Sequence, residues 1–149
     1  MVCDVLKLCR DTPQCKYKNC TSCREVKSGS NITCSEKNSR YSLCNPNGIA
    51  ITVFHVDGGL VSDNEACPRC DYLYDINTPF KSAIIFIELK GRHFGDALKQ
   101  IDNTVKLFVN AFSGSKLYAR IICTRVPNIR NNPQDVRACL HNFTKCDKY

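Results

Sequence analysis

The stretch that decides the fold lies near the middle of the chain and reads AIIFIELK, residues 83–90. Its first five residues are all apolar, which is typical of a strand covered on both faces, since half-buried strands alternate apolar and polar residues. The sequence therefore predicts a central strand over 83–89. Glu88 and Lys90 lie at its far end, two positions apart, so their side chains leave the same face of the strand.

The segments before this strand predict two more strands. Residues 49–56 are rich in β-branched side chains and run into Asp57-Gly58-Gly59, a tight-turn signal. Residues 70–76 alternate in polarity and stop at Asn77-Thr78-Pro79. We expect this second strand to form an antiparallel hairpin with 83–89 through residues 77–82.

The segments after the central strand predict a helix, a strand and a second helix. Gly95-Asp96 caps a helix that Ser113-Gly114 ends, with apolar residues at helical spacing: Leu98, Ile101, Val105, Phe108 and Phe112. A strand follows over 117–123, and Asn132-Pro133 opens a final helix with an inward face of Val136, Cys139, Leu140 and Phe143.

Composition separates the first 47 residues from the rest. Seven of the twelve cysteines fall there, at positions 3, 9, 15, 20, 23, 34 and 44, among many Lys, Ser and Asn residues. We therefore expect a cysteine-rich, loop-rich segment over 1–47 and a regular core domain over 48–149.

Charge and hydropathy indicate which classes of partner to expect. The formal net charge of +7 favours phosphate-bearing partners, nucleic acid above all. No apolar run approaches the roughly 18 residues of a membrane span, and residues 1–10 lack the continuous apolar region of a secretory signal. We expect a soluble, cytoplasmic protein that binds nucleic acid and no membrane.

The charged end of the central strand is a candidate site. Burying Glu88 or Lys90 unpaired would cost several kcal/mol, which favours a use for them there. Hairpin pairing brings Asp71 across from Glu88, and two carboxylates with the Leu89 carbonyl are the oxygen ligands that Mg²⁺ prefers. Lys90 would position or help deprotonate an attacking water, or neutralise charge on a phosphate. The alternative is an ordinary solvated charge pair.

These residues carry a family resemblance. The segments CDYL at 70–73 and FIELKG at 86–91 resemble the D...(D/E)xK signature of the PD-(D/E)xK nuclease superfamily. The helix with Ala97, Gln100 and Thr104 is similar to the Ala-x-x-Gln-x-x-x-Thr helix of small members. The resemblance implies an α/β fold with a mixed sheet, the restriction-endonuclease-like αβββαβ core.

The resemblance also implies an activity. The implied protein is a nuclease that depends on Mg²⁺ or Mn²⁺ and acts on DNA or RNA in restriction, repair or defence. Its catalytic residues would be Asp71, Glu88, Lys90 and Gln100. Gln100 would bind phosphate or orient water, and its alternative is a solvent-facing helix residue. The family's first helix, which often supplies another acid, is not visible, so Glu25 and Glu36 stay open for that role. A homodimer would be needed for concerted cutting of both strands.

Basic residues after the central strand are candidate phosphate contacts. Arg92, His93 and Lys99 would touch the nucleic-acid backbone, or are ordinary surface charges. His55, His93 and His141 lack the spacing of metal or nuclease motifs, so we assign them no catalytic role.

The cysteines support a second hypothesis. Cys15, Cys20 and Cys23 match part of an iron-sulfur pattern that zinc could also use, and Cys67 with Cys70 is a separate C-x2-C pair. The alternative is that Cys70 is a buried small hydrophobe and Cys67 a loop thiol. The rival function is a non-catalytic nucleic-acid- or protein-binding protein with a cysteine-ligated structural metal. A secreted disulfide protein is the third hypothesis.

Overall fold

A computed structural model describes residues 23–61, 66–89 and 93–123 of the chain. This part combines a five-stranded sheet, a two-stranded hairpin and an α-helix. In chain order the elements are β1 (Arg24–Lys27), β2 (Asn31–Glu36), β3 (Ser39–Cys44), β4 (Ile51–His55), β5 (Tyr72–Asn77), β6 (Ser82–Glu88), α1 (Phe94–Phe108), a 3₁₀ helix (Val109–Phe112) and β7 (Lys116–Ile121).

The sheet is mixed, with strand order β1-β4-β5-β6-β7. Its first three pairings are antiparallel, and β6 and β7 are parallel. Parallel neighbours need a long connection, and α1 supplies it between β6 and β7. The predicted mixed sheet is therefore confirmed.

The central strand and its hairpin are confirmed as well. Strand β6 lies between β5 and β7, and it is buried from Ala83 to Glu88. Its antiparallel register with β5 runs from Tyr72 opposite Ile87 to Asn77 opposite Ser82. The turn between them is closed by the Thr78 amide, which donates to the Lys81 carbonyl at 2.9 Å.

Each face of the sheet has its own core. The helix-side core contains Phe54, Leu73, Ile84 and Phe86 from the sheet and Ile101, Val105, Phe108 and Phe112 from the helical segment. The hairpin-side core contains Ile51, Val53, Tyr74, Ile85 and Ile87 from the sheet and Ile32 and Cys34 from β2. Each large apolar side chain so buried contributes roughly 1.5–3 kcal/mol. Period-two alternation along β4, β5 and β6 divides the side chains between the two faces.

The prediction that residues 1–47 are loop-rich is wrong for 24–44. Strand β1 pairs with β4 inside the main sheet, and β2 and β3 form a hairpin that covers one sheet face. The alternation of Ile32 and Cys34 with polar neighbours produces this hairpin, and Lys37 takes a φ of 50° in its tight turn.

The predicted helix begins and ends slightly differently. It starts at Phe94 with His93 as N-cap, so Gly95-Asp96 falls inside its first turn, and a 3₁₀ turn extends it to Phe112. The predicted final helix from Asn132 lies outside the described residues, as does any helix before β1. The complete αβββαβ core therefore stays a prediction. Within the described part, no helix is both long and apolar enough to cross a membrane.

Candidate functional site

Asp71 lies at the entrance to β5 and is 6% exposed. Its Oδ2 atom accepts a hydrogen bond of 2.6 Å from the backbone amide of Leu89. Continuing the β5–β6 register by one residue also brings Asp71 opposite Glu88. The structure thus brings Asp71 to Glu88 and Leu89, as the hairpin pairing predicts.

A second carboxyl group meets Asp71 from the hairpin. Glu36, the last residue of β2, shares a side-chain hydrogen bond with Asp71. Burial first, then the hydrogen bond with Glu36 and the charges of Glu36 and Asp57, raise the pKa of Asp71 to about 7, while the Leu89 amide lowers it. Asp71 therefore holds or releases a proton near neutral pH.

Glu88 is 1% exposed and lies on the helix side of the sheet by its alternation with Ile84 and Phe86. Its backbone carbonyl accepts a 2.9 Å hydrogen bond from the Ile122 amide, which fixes the end of β6 against the segment after β7. The strand end that carries the site is thus anchored from both neighbouring strands.

The Cys70 thiol feels the charges of both predicted carboxylates. Burial raises the pKa of Cys70 well above its usual value, and the charges of Glu88 and Asp71 both add to the increase. Cys70 is completely buried, and its Sγ atom donates to the Tyr72 carbonyl at 3.4 Å. Cys70 is therefore a buried, neutral thiol at this end of the sheet.

Helix α1 holds the segment before Asp71 with three polar side chains. Gln100 Nε2 donates to the Arg69 carbonyl at 2.9 Å, and Asn103 Nδ2 donates to the Pro68 carbonyl at 2.6 Å. Thr104 Oγ1 accepts from the Cys70 amide at 2.8 Å.

The amide nitrogen of Gln100 is therefore used within the protein and does not point into solvent or into an open site. Its Oε1 atom is buried and has no hydrogen-bond partner among the described residues. The Gln100 side chain holds the segment that precedes Asp71 in place, and Thr104 does the same through its bond with the Cys70 amide.

Arg69 fixes the same segment from the other side. Its Nε atom donates to Asp57 Oδ1 at 2.7 Å, and Nη1 donates to the Cys67 carbonyl at 3.2 Å. The side chain is only 10% exposed, so this ion pair is screened less than a surface pair. The position of Asp71 is thus fixed by Arg69 in the segment before it, by the Leu89 amide opposite it, and by the α1 side chains that hold the preceding segment.

The remaining predicted residues are placed as follows. Lys90 and Arg92 lie outside the described residues, as do Cys15, Cys20 and His141. His93 and Lys99 are exposed at the start of α1. Glu25 lies on β1 and pairs with Lys27 at 3.0 Å, so Glu36 is the acid of the two that reaches Asp71.

The cysteine-metal prediction has no further support in the described part. Cys23 and Cys70 are buried in the helix-side core, with Cys67 packed against it. Across the described ranges, no group of three or more His, Cys, Asp or Glu side chains is placed to hold a metal ion. Because Cys15 and Cys20 lie outside these ranges, ligation by the N-terminal cysteines stays a prediction.

The sequence around Glu36 contains a hairpin signal. The segments Asn31–Glu36 and Ser39–Cys44 alternate in polarity around Lys37-Asn38, the pattern of a two-residue hairpin. A hairpin there ends β2 at Glu36, but its packing onto the sheet near Asp71 depends on tertiary contacts.

The chain matches no protein-family model, and comparison with curated proteins and with solved structures gives no significant match. The function is therefore inferred from the residues of the site.

Proposed function

We propose that the protein is a Mg²⁺- or Mn²⁺-dependent nuclease that hydrolyses phosphodiester bonds of nucleic acid. The observation that carries the proposal is the pair of carboxyl groups in which the buried Asp71, held against Leu89, meets the partly exposed Glu36. Two adjacent carboxyl groups repel each other once both are ionised, and a divalent cation would relieve that repulsion. Their oxygens, those of Glu88 and the Leu89 carbonyl are the kind of hard donor that such a cation takes, although the described residues do not place three acidic side chains around one point.

Each residue has a role in this proposal. Asp71 and Glu88 are the metal ligands, and Glu36 is the additional acid. Lys90 binds the phosphate or orients the attacking water, as its spacing from Glu88 predicts. A bound Mg²⁺ or Mn²⁺ would supply Lewis acidity and a more acidic water. Gln100 positions the segment before Asp71 rather than touching substrate.

Cleavage assays test the proposal. Labelled single- and double-stranded DNA and RNA are incubated with Mg²⁺, Mn²⁺ or EDTA and the wild-type chain, Glu88→Gln or Lys90→Ala. We expect metal-dependent cleavage that falls roughly a hundredfold or more in both variants. Asp102→Asn is the matched control, because Asp102 pairs with Lys106 on the surface of α1 at 2.6 Å. No cleavage by the wild type, or equal cleavage by Glu88→Gln, would overturn the proposal.

A non-catalytic nucleic-acid-binding protein is the second candidate. The 1% exposure of Glu88 favours it, because a side chain so enclosed meets no substrate without a local rearrangement. This candidate predicts nucleic-acid binding with no cleavage in any metal. It also predicts that Glu88→Gln leaves that binding unchanged.

A further inference from the structure

A row of cationic and aromatic side chains lies on β7, the last strand of the sheet. Tyr118 packs against the hairpin-side core. Because side chains alternate between the faces of a strand, Lys116 and Arg120 lie on the same face as Tyr118, two positions away on either side. Both cations are exposed, and the half-buried Tyr118 lies between them. The row is about 13 Å long, the span of four residues in a strand.

The cations of this row have donors available to a ligand. The Lys116 ammonium forms no ion pair or hydrogen bond with any residue that the structure describes. The Arg120 guanidinium lies 5.8 Å from the centroid of the Tyr118 ring, and its Nη1 atom donates to the Ala119 carbonyl at 2.8 Å. A guanidinium has five N–H donors, so four of them have no acceptor in the described part of the chain. Such donors suit phosphate oxygens.

The turn between β5 and β6 carries an exposed aromatic ring. The side chain of Phe80 is 99% exposed. The turn is held by Thr78, whose Oγ1 atom donates to the Lys81 carbonyl and accepts from the Lys81 amide, both at 3.0 Å. The backbone that presents the Phe80 ring is therefore fixed by hydrogen bonds.

This turn lies at the Lys116 end of the row. The hydroxyl groups of Ser82 and Ser115 share a hydrogen bond of 2.8 Å, and Ala83 of β6 is the register partner of Lys116. Lys81 is two positions before Ala83, and its ammonium forms no ion pair among the described residues. We call the following five residues the β7 stripe: Phe80, Lys81, Lys116, Tyr118 and Arg120.

The exposed ring indicates what kind of partner the stripe fits. Cations alone on an edge strand need no ligand, because they prevent pairing with other chains. Phe80 has the opposite effect, since a ring left in water forgoes the favourable free energy of burial and promotes association. The stripe therefore fits a partner with flat aromatic surface next to negative charge, and a strand of nucleic acid has both. The net charge of +7 favours the same partner.

We propose that the β7 stripe binds single-stranded nucleic acid, with an unpaired base stacked on Phe80 and phosphates on Lys116 and Arg120. Bases in a duplex are stacked on one another and offer no free face to the ring, so single strands are preferred. Strand β7 runs parallel to β6, so the stripe leads toward the end of β6 that holds Glu88. Delivery of the strand to a cleavage site rests on the proposed function, whereas binding can be measured without it.

The test is fluorescence anisotropy of the full chain in EDTA with short labelled single-stranded DNA, single-stranded RNA and their duplexes. We expect single strands to bind at least about tenfold more tightly than duplexes. Phe80→Ala should weaken single-strand binding by roughly fivefold or more, because one stacked base is lost. Lys116→Ala should lower the slope of log Kd against log salt by about 0.7, the contribution of one phosphate contact on a single strand. A merely structural change would not alter that slope.

Two variants are matched controls. Val26→Ala removes another exposed apolar side chain, on β1 at the opposite edge of the sheet. Lys106→Ala removes another exposed cation, on α1 at the other face of the sheet. Each should change affinity by less than about twofold. Because the Phe80 ring is almost fully exposed, Phe80→Ala should also leave the melting temperature unchanged, so its effect on binding is not an effect on folding.

The outcomes separate this proposal from the nuclease. Single-strand binding that depends on Phe80 and Lys116, with no cleavage in any metal, supports the stripe and rejects the nuclease. Cleavage with unchanged single-strand binding in Phe80→Ala and Lys116→Ala rejects the stripe and keeps the nuclease. Equal affinity for single strands and duplexes, or no binding at all, overturns the stripe proposal. It is also overturned if Phe80 is needed only for binding vesicles of phosphatidylserine and phosphatidylcholine.

Discussion

The backbone amide of Leu89 donates a 2.6 Å hydrogen bond to Asp71 Oδ2, joining the residue before β5 to the residue after β6. The bond is buried, so neither group has water as a ready substitute. Asp71 is therefore both an acid of the candidate site and the acceptor that satisfies this amide. Substitutions at Asp71 can separate the two roles.

Asp71→Asn should be more stable than Asp71→Ala. Asparagine keeps an oxygen for the Leu89 amide, whereas alanine leaves the buried amide unsatisfied at a cost of about 1–3 kcal/mol. Asparagine also removes the repulsion between Asp71 and Glu36 at high pH. Urea unfolding at pH 8 in EDTA measures the difference. Equal stabilities would mean that the hydrogen bond contributes nothing, and both variants should lose cleavage alike.

Stability of the metal-free protein should fall as pH rises from about 4 to about 7. The folded-state pKa of Asp71 is raised from 3.8 to about 7, so the folded state holds a proton that the unfolded state has already released in this window. The stabilisation is present below the lower value and is lost as pH passes the upper one.

The measurement is urea unfolding of the wild type and Asp71→Asn across this pH range in EDTA. The decline should be smaller in Asp71→Asn, because asparagine does not titrate. An identical decline in both proteins would show that another group is responsible. Added Mg²⁺ should counteract the decline in the wild type, because the cation binds the ionised carboxylates.

Thr104→Val should destabilise the protein by about 1–3 kcal/mol although its shape is nearly unchanged. The Oγ1 atom accepts from the Cys70 amide at 2.8 Å and donates to the Gln100 carbonyl at 2.7 Å, and Thr104 is completely buried. Thr52→Val on β4 is the matched control, with an expected change within about 0.5 kcal/mol. Chemical unfolding compares them, and a loss no larger than in the control would contradict the predicted role.

Cys44 should react with a thiol-modifying reagent much faster than Cys70 in the native protein. Cys44 is exposed, whereas Cys70 is completely buried and its pKa is raised by burial and by nearby carboxylates. Mass spectrometry of peptides after brief iodoacetamide treatment gives both rates. Rapid native-state labelling of Cys70 would contradict its burial, and equal labelling in urea provides the control.

The sequence predicts the sheet from β4 onward because its signals there are local. The apolar run from Ala83, the break at Pro79 and the helical spacing from Leu98 each depend on a few neighbouring residues. Strand β1 could not be predicted from the sequence because Arg24–Lys27 is short and charged. It forms a strand only through its pairing with β4. Tertiary pairing overrides weak intrinsic preference in such segments.

In the candidate site too, some residues can be predicted from local sequence and others depend on tertiary contacts. Asp71 and Glu88 follow from hairpin register, which the turn at 77–82 sets locally. The contact of Glu36 with Asp71 requires the hairpin to dock on the sheet, and spacing along the chain contains no information on that. Gln100 carries a recognisable motif, but only the packed helix shows that its amide nitrogen binds the Arg69 carbonyl.

The hydrogen bond from the Cys70 amide to Thr104 spans 34 residues of sequence and closes only when α1 is docked. Exchange of that amide proton with deuterium therefore reports the openings that separate helix α1 from the segment before β5. A single NMR signal would report how often the segment before Asp71 separates from helix α1, without substrate, metal or an activity assay.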